Sequence, residues 1–121
     1  MDIAIYPGSF DPITLGHLNI LERALGIFSE VTLLVAINPN KEPLFSQEES
    51  MEMISEATSG LPGAKVDFHN GLTVDYAQEH GICTAVRGLR AVTDFEHEFS
   101  MALTNRSLWP NFDTVFLMTK A

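Results

Sequence analysis

The chain has 121 residues, 45% of them hydrophobic and 19% charged, which predicts one globular domain over residues 1–121. Its formal net charge of −9 argues against a nucleic-acid-binding surface. No run approaches the roughly 20 apolar residues of a membrane span, and a lone cysteine, Cys83, excludes an intrachain disulfide, so we expect a soluble, cytoplasmic protein.

Apolar, β-prone runs alternate with helical patterns along the chain. Strands are predicted at residues 3–6, 31–37, 65–69, 84–87 and 114–118, and helices at residues 17–28, after a capping-box pattern at Ser46, at residues 74–80 and at residues 94–107. Asp94 is expected as the N-cap of the last helix, with Phe95, Phe99, Ala102 and Leu103 on one apolar stripe. Cys83 is expected to be a small buried residue in the fourth strand. This alternation predicts an α/β protein with a Rossmann-like, doubly wound, parallel five-stranded sheet and helices on both faces.

The junction between the first strand and the first helix reads Tyr6-Pro7-Gly8-Ser9-Phe10-Asp11-Pro12-Ile13-Thr14-Leu15-Gly16-His17. Pro7-Gly8 is expected to end the strand, and Gly8 and Gly16 allow a close approach of the backbone. The helix start offers free N–H groups to an anion, so we expect a triphosphate there. His17 would donate a hydrogen bond to the phosphate oxygens. Alternatively, the glycines shape a turn and His17 is an ordinary polar residue.

Three of the seven cationic residues, Lys41, Arg87 and Arg90, stand at or just after the ends of predicted strands. Because ligands bind beyond the carboxyl ends of parallel strands, these side chains are expected to concentrate positive potential there. The alternative is that they are solvated surface charges. The remaining histidines, His69, His80 and His97, are not spaced as metal ligands, so no structural zinc is predicted.

The junction resembles the signature of the nucleotidyltransferase superfamily that carries a T/H-x-G-H motif. Two further strings are similar to motifs of the phosphopantetheine adenylyltransferases, namely Asn38-Pro39-Asn40-Lys41-Glu42-Pro43 and the stretch of residues 86–98. The resemblance runs over residues 1–120 and implies transfer of AMP from ATP to 4′-phosphopantetheine, which gives dephospho-coenzyme A and pyrophosphate. It also implies Mg²⁺ bound mainly through the ATP phosphates, no dedicated metal ligands, and a homo-oligomer, specifically a hexamer.

The resemblance implies roles for individual residues as well. His17, Lys41 and Arg90 are the expected catalytic residues. ATP is expected to bind at Ser9, Phe10, His17, Gly88, Leu89, Arg90 and Glu98, and the acceptor at Ser9, Lys41, Leu72, Thr73 and Arg87. Three alternatives stay open: core packing for Phe10, a solvated helix face for Glu98, and a helix N-cap for Thr73.

The family pattern continues past the last predicted strand into a loop and helix with an Ile-Ser-Ser-Ser type motif at the ATP phosphates, whereas this sequence stops at Ala121. The chain is therefore expected to be C-terminally short relative to the family. One alternative function is a nucleotide-binding module or fragment without turnover. Another is a related nucleotidyltransferase with a different acceptor, such as nicotinate mononucleotide, or a glycerol phosphate with CTP.

Overall fold

The computed structural model describes residues 2–37 and 42–119 of the chain. Within these ranges five strands, β1 (Ile3–Gly8), β2 (Glu30–Ala36), β3 (Ala64–His69), β4 (Thr84–Leu89) and β5 (Asp113–Met118), alternate with four helices, α1 (Leu15–Leu25), α2 (Gln47–Thr58), α3 (Thr73–His80) and α4 (Val92–Leu108). The alternation predicted from the sequence is confirmed. None of these helices is long and apolar enough to cross a membrane.

The strands form one parallel sheet in the order β3-β2-β1-β4-β5. The chain builds outward from β1 through β2 to β3, then returns to the other side of β1 and continues through β4 to β5. The strand order therefore reverses between β1 and β4, and a crevice opens beyond the carboxyl ends of these two strands. This arrangement confirms the Rossmann-like, doubly wound fold.

Both faces of the sheet carry a buried apolar cluster. Side chains alternate along β1, so that Ala4 and Tyr6 pack with Ile20 of α1 on one face, whereas Ile5 packs with Val74 of α3 on the other. Residues 31–35 of β2 are all buried, as expected for a strand covered on both sides. The prediction of helices on both faces is therefore confirmed.

The first strand is longer than predicted. β1 continues through Pro7 and Gly8, and both residues pair with β2. Pro7 has no N–H to give to a ladder, but β1 pairs with β4 only at Ile5 and Ala85, so no hydrogen bond on that side is lost. The expectation that Pro7-Gly8 ends the strand is wrong for this reason.

The bounds of two other elements near the crevice, β4 and α1, also differ from the predicted ones. β4 continues to Leu89, so Arg87 lies within the strand rather than at its end. α1 starts directly after Thr14, which caps it, and ends before Gly26, whose N–H bonds back to the last turn. Helix α1 is therefore shorter at its carboxyl end than the predicted residues 17–28.

Helix α4 begins earlier than the predicted N-cap. Ala91 is the N-cap residue and no side chain caps the helix, so the prediction of Asp94 as the N-cap is wrong. Asp94 lies in the first turn, where its carboxylate accepts a hydrogen bond from Arg90. Asp94 therefore forms an ion pair with Arg90 and does not cap the helix.

The apolar stripe predicted for α4 is only partly packed: Ala102 is half-buried and the Phe95 ring lies edge-on to Phe116 of β5 at 6.2 Å, but the three large side chains are exposed. Phe95, Phe99 and Leu103 are 43%, 47% and 53% exposed, and the two phenylalanine rings stack with their centroids 5.5 Å apart. Glu98, which is buried, and Asn105, which is half-buried, are seven residues apart and lie on the side of the helix that faces the sheet. We call the exposed set of Phe95, Phe99 and Leu103 the apolar face of α4.

Cys83 is exposed, so the expectation of a buried cysteine in a strand is wrong. It lies between the end of α3 and the start of β4. Its carbonyl accepts a hydrogen bond from the Asp113 N–H at 2.8 Å, which aligns the start of β5 with the start of β4.

Candidate active site

A cavity of about 280 Å³ opens at the crevice between β1 and β4. Its walls come from the β1–α1 loop, the end of β4 and the first turns of α4. The cavity brings together six residues predicted from the sequence, namely Phe10, His17, Arg87, Gly88, Arg90 and Glu98. A nucleotide site at the strand reversal is the usual arrangement in such sheets.

His17 is held by the cap of its own helix. The Thr14 N–H donates to His17 Nδ1 at 3.0 Å, and the His17 N–H donates to Thr14 Oγ1 at 3.3 Å. These two reciprocal bonds form a capping box at the start of α1. A backbone N–H can only donate, so Nδ1 of the neutral ring is the acceptor and the proton lies on Nε2. The ring therefore has one free donor, Nε2–H.

The environment of His17 keeps its ring neutral. Burial lowers the pKa of His17 below its usual value, and the charges of Arg87 and Arg90 lower it further. The ring is half-buried, with the Phe10 ring edge-on at a centroid distance of 4.9 Å. A neutral imidazole with a fixed tautomer can donate a hydrogen bond from Nε2 without gaining or losing a proton.

Phe10 forms the floor beneath His17. Its side chain is 2% exposed, so the alternative of core packing is confirmed, and the same ring lines the cavity. Its φ of 45° is in the left-handed region, which non-glycine residues rarely adopt and which is often found at functional sites. A Cβ at Gly8 would lie 3.1 Å from this ring, so a glycine is needed there for the close approach.

Arg87 and Glu98 form a two-point ion pair in which Glu98 is buried and Arg87 is half-buried. Arg87 Nε donates to Glu98 Oε1 at 2.8 Å, and the Arg87 Nη2 donates to Oε2 at 2.7 Å. Nη1 donates to the Pro7 carbonyl, so the guanidinium joins β4, α4 and β1. The hydrogen bonds with Glu98 raise the pKa of Arg87, against the opposing effect of burial. Glu98 is 8% exposed, and the alternative of a solvated helix face is therefore wrong.

Arg90 occupies the rim of the cavity. Its side chain is 78% exposed, and Nε lies 3.3 Å from the Asp94 carboxylate, one turn along α4. An exposed pair of this kind contributes less than about 1 kcal/mol, so a phosphate can displace it. The two arginines that line the cavity are each paired with a carboxylate, which partly offsets the expected positive potential among the described residues.

A second cavity, of about 180 Å³, lies on the other side of the ion pair. It shares four residues with the first and adds two predicted ones, Ser9 and Thr73. Leu72 is 55% exposed and occupies the N-cap position of α3, so the alternative of Thr73 as N-cap is wrong by one residue. Leu72 does not line either cavity. Ser9 and Thr73 are thus grouped with Arg87, away from His17.

Leu89, like Leu72, does not line either cavity. Lys41 lies outside the described residues. Leu89 ends β4, and its carbonyl accepts from the N–H and the hydroxyl of Thr119 at 2.9 and 3.2 Å. It therefore helps to hold the cavity wall, because Thr119 itself lines the cavity.

Asp11 has a structural role. Its two carboxylate oxygens accept hydrogen bonds from the Leu44 N–H at 2.6 Å and the Phe45 N–H at 3.1 Å. These bonds tie the β1–α1 loop to the segment that leads into α2. Over residues 2–37 and 42–119, no group of three or more His, Cys, Asp or Glu side chains could hold a metal ion.

The sequence interpretation missed two residues of the site. Thr14 belongs to the T-x-G-H motif but is not among the residues predicted for the site. A threonine three residues before His17 nevertheless has the spacing of a capping box. Tyr6 also lines the cavity, and burial raises its pKa, so that its hydroxyl stays protonated. No sequence signal distinguishes Tyr6 from an ordinary buried strand residue.

A parallel sheet, a cavity at the strand reversal, and a T-x-G-H turn that holds a neutral histidine define the chain as a Rossmann-like nucleotidyltransferase. Residues 5–121 match the family model described as Cytidylyltransferase-like. A phosphopantetheine adenylyltransferase of Desulforudis audaxviator (strain MP104C) is 55% identical over 121 residues, 100% of this chain and 74% of that protein. One of Heliobacterium modesticaldum (strain ATCC 51547 / Ice1) is 54% identical over 119 residues, 98% of this chain and 71% of that protein. The chain belongs to the phosphopantetheine adenylyltransferase family.

A solved structure shares the fold at much lower identity. The crystal structure of a bifunctional NMN adenylyltransferase/ADP ribose pyrophosphatase from Francisella tularensis, complexed with AMP and a manganese ion, superposes with a TM-score of 0.71. The match covers 98% of this chain and 37% of that chain, at 17% sequence identity. At this identity the likeness shows the fold alone.

The state of His17 leads to a titration prediction. In a histidine NMR titration, the His17 pKa is expected to lie below the usual value of about 6.5, with the proton on Nε2 in the neutral ring. The contribution of neutral His17 to the free energy of unfolding is fully present above pH ~6.5, the usual pKa of histidine in the unfolded chain. It declines as the pH falls towards the lowered pKa of the folded state. A pKa above 6.5, or a proton on Nδ1, would contradict the capping-box geometry.

Proposed function

We propose that the chain transfers AMP from ATP to the phosphate of 4′-phosphopantetheine. An oxygen of the acceptor phosphate attacks the α-phosphorus, the bond from that phosphorus to the bridging oxygen breaks, and pyrophosphate leaves with the electron pair. The products are dephospho-coenzyme A and pyrophosphate. Family membership supports this reaction, and the observation that carries it is the single free donor of His17 in the cavity between β1 and β4.

His17 acts as a hydrogen-bond donor rather than a base. Its Nε2–H contacts a non-bridging oxygen of the α-phosphate, where negative charge grows in the transition state. The bonds with Thr14 fix the ring before substrate binds, so no reorganisation is needed. Phosphoryl transfer of this kind depends on positioning and charge stabilisation more than on covalent chemistry by the protein.

The two cavities suit two substrates. ATP occupies the larger one, with its phosphates at the N-terminus of α1, Gly88 beneath them and Arg90 at the rim. The acceptor occupies the smaller one, with Ser9 and Thr73 at its walls and its phosphate directed towards Arg87. Lys41 joins the acceptor phosphate, as the resemblance implies. The inline attack then takes place beside Arg87, which lines both cavities.

Mg²⁺ enters with the triphosphate in this proposal. The carboxylates at the cavity, Asp94 and Glu98, are each paired with an arginine, and the described residues contain no three-ligand cluster. The donor set therefore fits an ion that keeps phosphate oxygens and water as its ligands. When bound, the ion would neutralise charge on the phosphates.

We also propose that the chain forms a cytoplasmic homo-oligomer, with six copies as the resemblance implies. The exposed apolar face of α4 supports association, because stacked phenylalanines are rarely left in water without a partner surface. Light scattering is expected to show a species several times the mass of one chain. A monomer at the concentration used for assays would contradict this.

The first test is pyrophosphate release by the chain with ATP, Mg²⁺ and 4′-phosphopantetheine. His17→Ala is expected to lower turnover by ~10²- to 10³-fold, because it removes one preorganised donor to the developing charge. His97→Ala is the matched control, since His97 is exposed on α4 and does not line the described cavities. It is expected to leave turnover unchanged.

Three results would contradict the proposal in different ways. A loss of less than about threefold in His17→Ala would remove the donor role. ATP binding without pyrophosphate release would indicate a nucleotide-binding module. Release with nicotinate mononucleotide, and not with 4′-phosphopantetheine, would indicate a related transferase with another acceptor.

Gly16 offers a test of where the nucleotide lies. A Cβ at Gly16 would meet only Thr14 Oγ1, at 3.6 Å, so the protein itself gives no packing reason for a glycine there. Gly16→Ala is expected to keep or slightly raise the thermal midpoint, because alanine favours a helix by up to ~1 kcal/mol. It is expected to weaken ATP binding by about tenfold, because the methyl group intrudes on the ligand.

Gly60→Ala is the matched control for Gly16. A Cβ at Gly60 would have no neighbour within 4 Å, and Gly60 does not line the described cavities. Calorimetry with ATP and a thermal melt measure both variants. Equal ATP affinity in Gly16→Ala and Gly60→Ala would place the nucleotide elsewhere.

A further inference from the structure

A buried carboxylate stands in a site whose two proposed ligands are both anions. Glu98 is 8% exposed and lines both cavities. Its negative charge opposes the binding of phosphate by simple repulsion. A carboxylate in this position therefore needs a function that outweighs this cost.

The geometry around Glu98 identifies what it does. Both of its oxygens accept from one edge of the Arg87 guanidinium, at 2.8 and 2.7 Å, in the parallel arrangement that fixes an arginine most firmly. The Pro7 carbonyl accepts from a third N–H of the same group. An arginine has five N–H donors, so two are left for a ligand, one on each Nη.

We propose that Glu98 is a positioning residue that acts through Arg87. It fixes the guanidinium in the wall between the two cavities, so that the two remaining donors face a phosphate in one orientation. It also cancels the charge of Arg87, so that phosphate is recognised by directed hydrogen bonds and is not held by an unbalanced cation. The inference rests on the proposed function for the identity of the phosphates.

Two features show that a change at Glu98 acts on Arg87. Both oxygens of the carboxylate are bonded to the guanidinium. Arg87 in turn is half-buried and joined to β1, so it cannot turn away to another partner without breaking the pair. The alternative is a purely structural ion pair, which would affect stability alone.

The test compares Glu98→Gln with Glu96→Gln, which makes the same charge change at an exposed position of the same helix. Glu98→Gln is expected to bind inorganic pyrophosphate at least ~3-fold more tightly, because it removes a like charge from the cavity wall. It is expected to lower kcat by at least ~10-fold, because the guanidinium is no longer fixed. A tighter complex with slower turnover is a combination that a purely structural role would not produce.

Glu98→Asp provides a second variant, because Glu98→Gln leaves the half-buried Arg87 with one good partner fewer, which lowers stability. The aspartate keeps the charge but withdraws the carboxylate by one methylene. Pyrophosphate affinity is expected within ~2-fold of wild type, since the charge balance is kept, while kcat falls because the guanidinium shifts. Glu96→Gln is expected to match wild type in both measurements.

The outcomes separate this inference from the proposed function. Pyrophosphate binding needs no turnover, so the affinities of the variants decide the role of Glu98 even where wild type releases no pyrophosphate from ATP. An NMR signal from Arg87 Nε–H that exchanges slowly in wild type and is lost in Glu98→Gln supports the inference. Unchanged pyrophosphate affinity in Glu98→Gln overturns it, as does kcat within ~3-fold of an active wild type, or a wild type that binds no pyrophosphate.

Discussion

The ion pair of Arg87 with Glu98 is the contact on which the rest of the site depends. It joins β4 to α4, and the further bond from Arg87 to the Pro7 carbonyl joins both to β1. These three elements meet where the strand order reverses, and β1 and β4 are paired there only at Ile5 and Ala85. The sheet is therefore loosely closed at its carboxyl edge. A two-point side-chain pair holds the edge together while leaving open space on both of its sides.

The hydrogen bonds between Thr14 and His17 have two roles, because they start helix α1 and also fix the tautomer of the His17 ring. In a capping box the third helical residue usually returns a carboxylate or amide to the N-cap backbone. Here an imidazole takes that place, and the Thr14 N–H that it accepts determines which ring nitrogen carries the proton. Burial and two nearby arginines then keep the ring neutral. Helix initiation, tautomer and hydrogen-bond donor are thus one local structure, which explains why a short motif can carry the function.

The sequence predicted the fold and the central motif well because both are local. Alternating periods of two and 3.6 residues mark strands and helices, and T-x-G-H stands within one turn. The failures involve contacts between distant residues. The continuation of β1 through Pro7 depends on how little β1 pairs with β4, which the sequence of β1 does not contain. The burial of Glu98 depends on Arg87, a partner in strand β4, and Asp94 pairs with Arg90 in a helix that begins after Ala91.

The balance of charges at the cavity bears on how an acidic protein recognises phosphate. The chain has a net charge of −9, and its two described arginines at the cavity each face a carboxylate. Among the described residues, these carboxylates therefore offset part of the local field that would draw in any anion, although both arginines still lower the pKa of His17. In the proposed reaction, recognition comes from donors with a fixed direction: the N–H groups at the start of α1, the Nε2–H of His17, and the unused donors of Arg87. Directed donors distinguish a phosphate in the right orientation from one that is merely charged. Such donors also gain most in a transition state, because charge then develops on the oxygens towards which they already point.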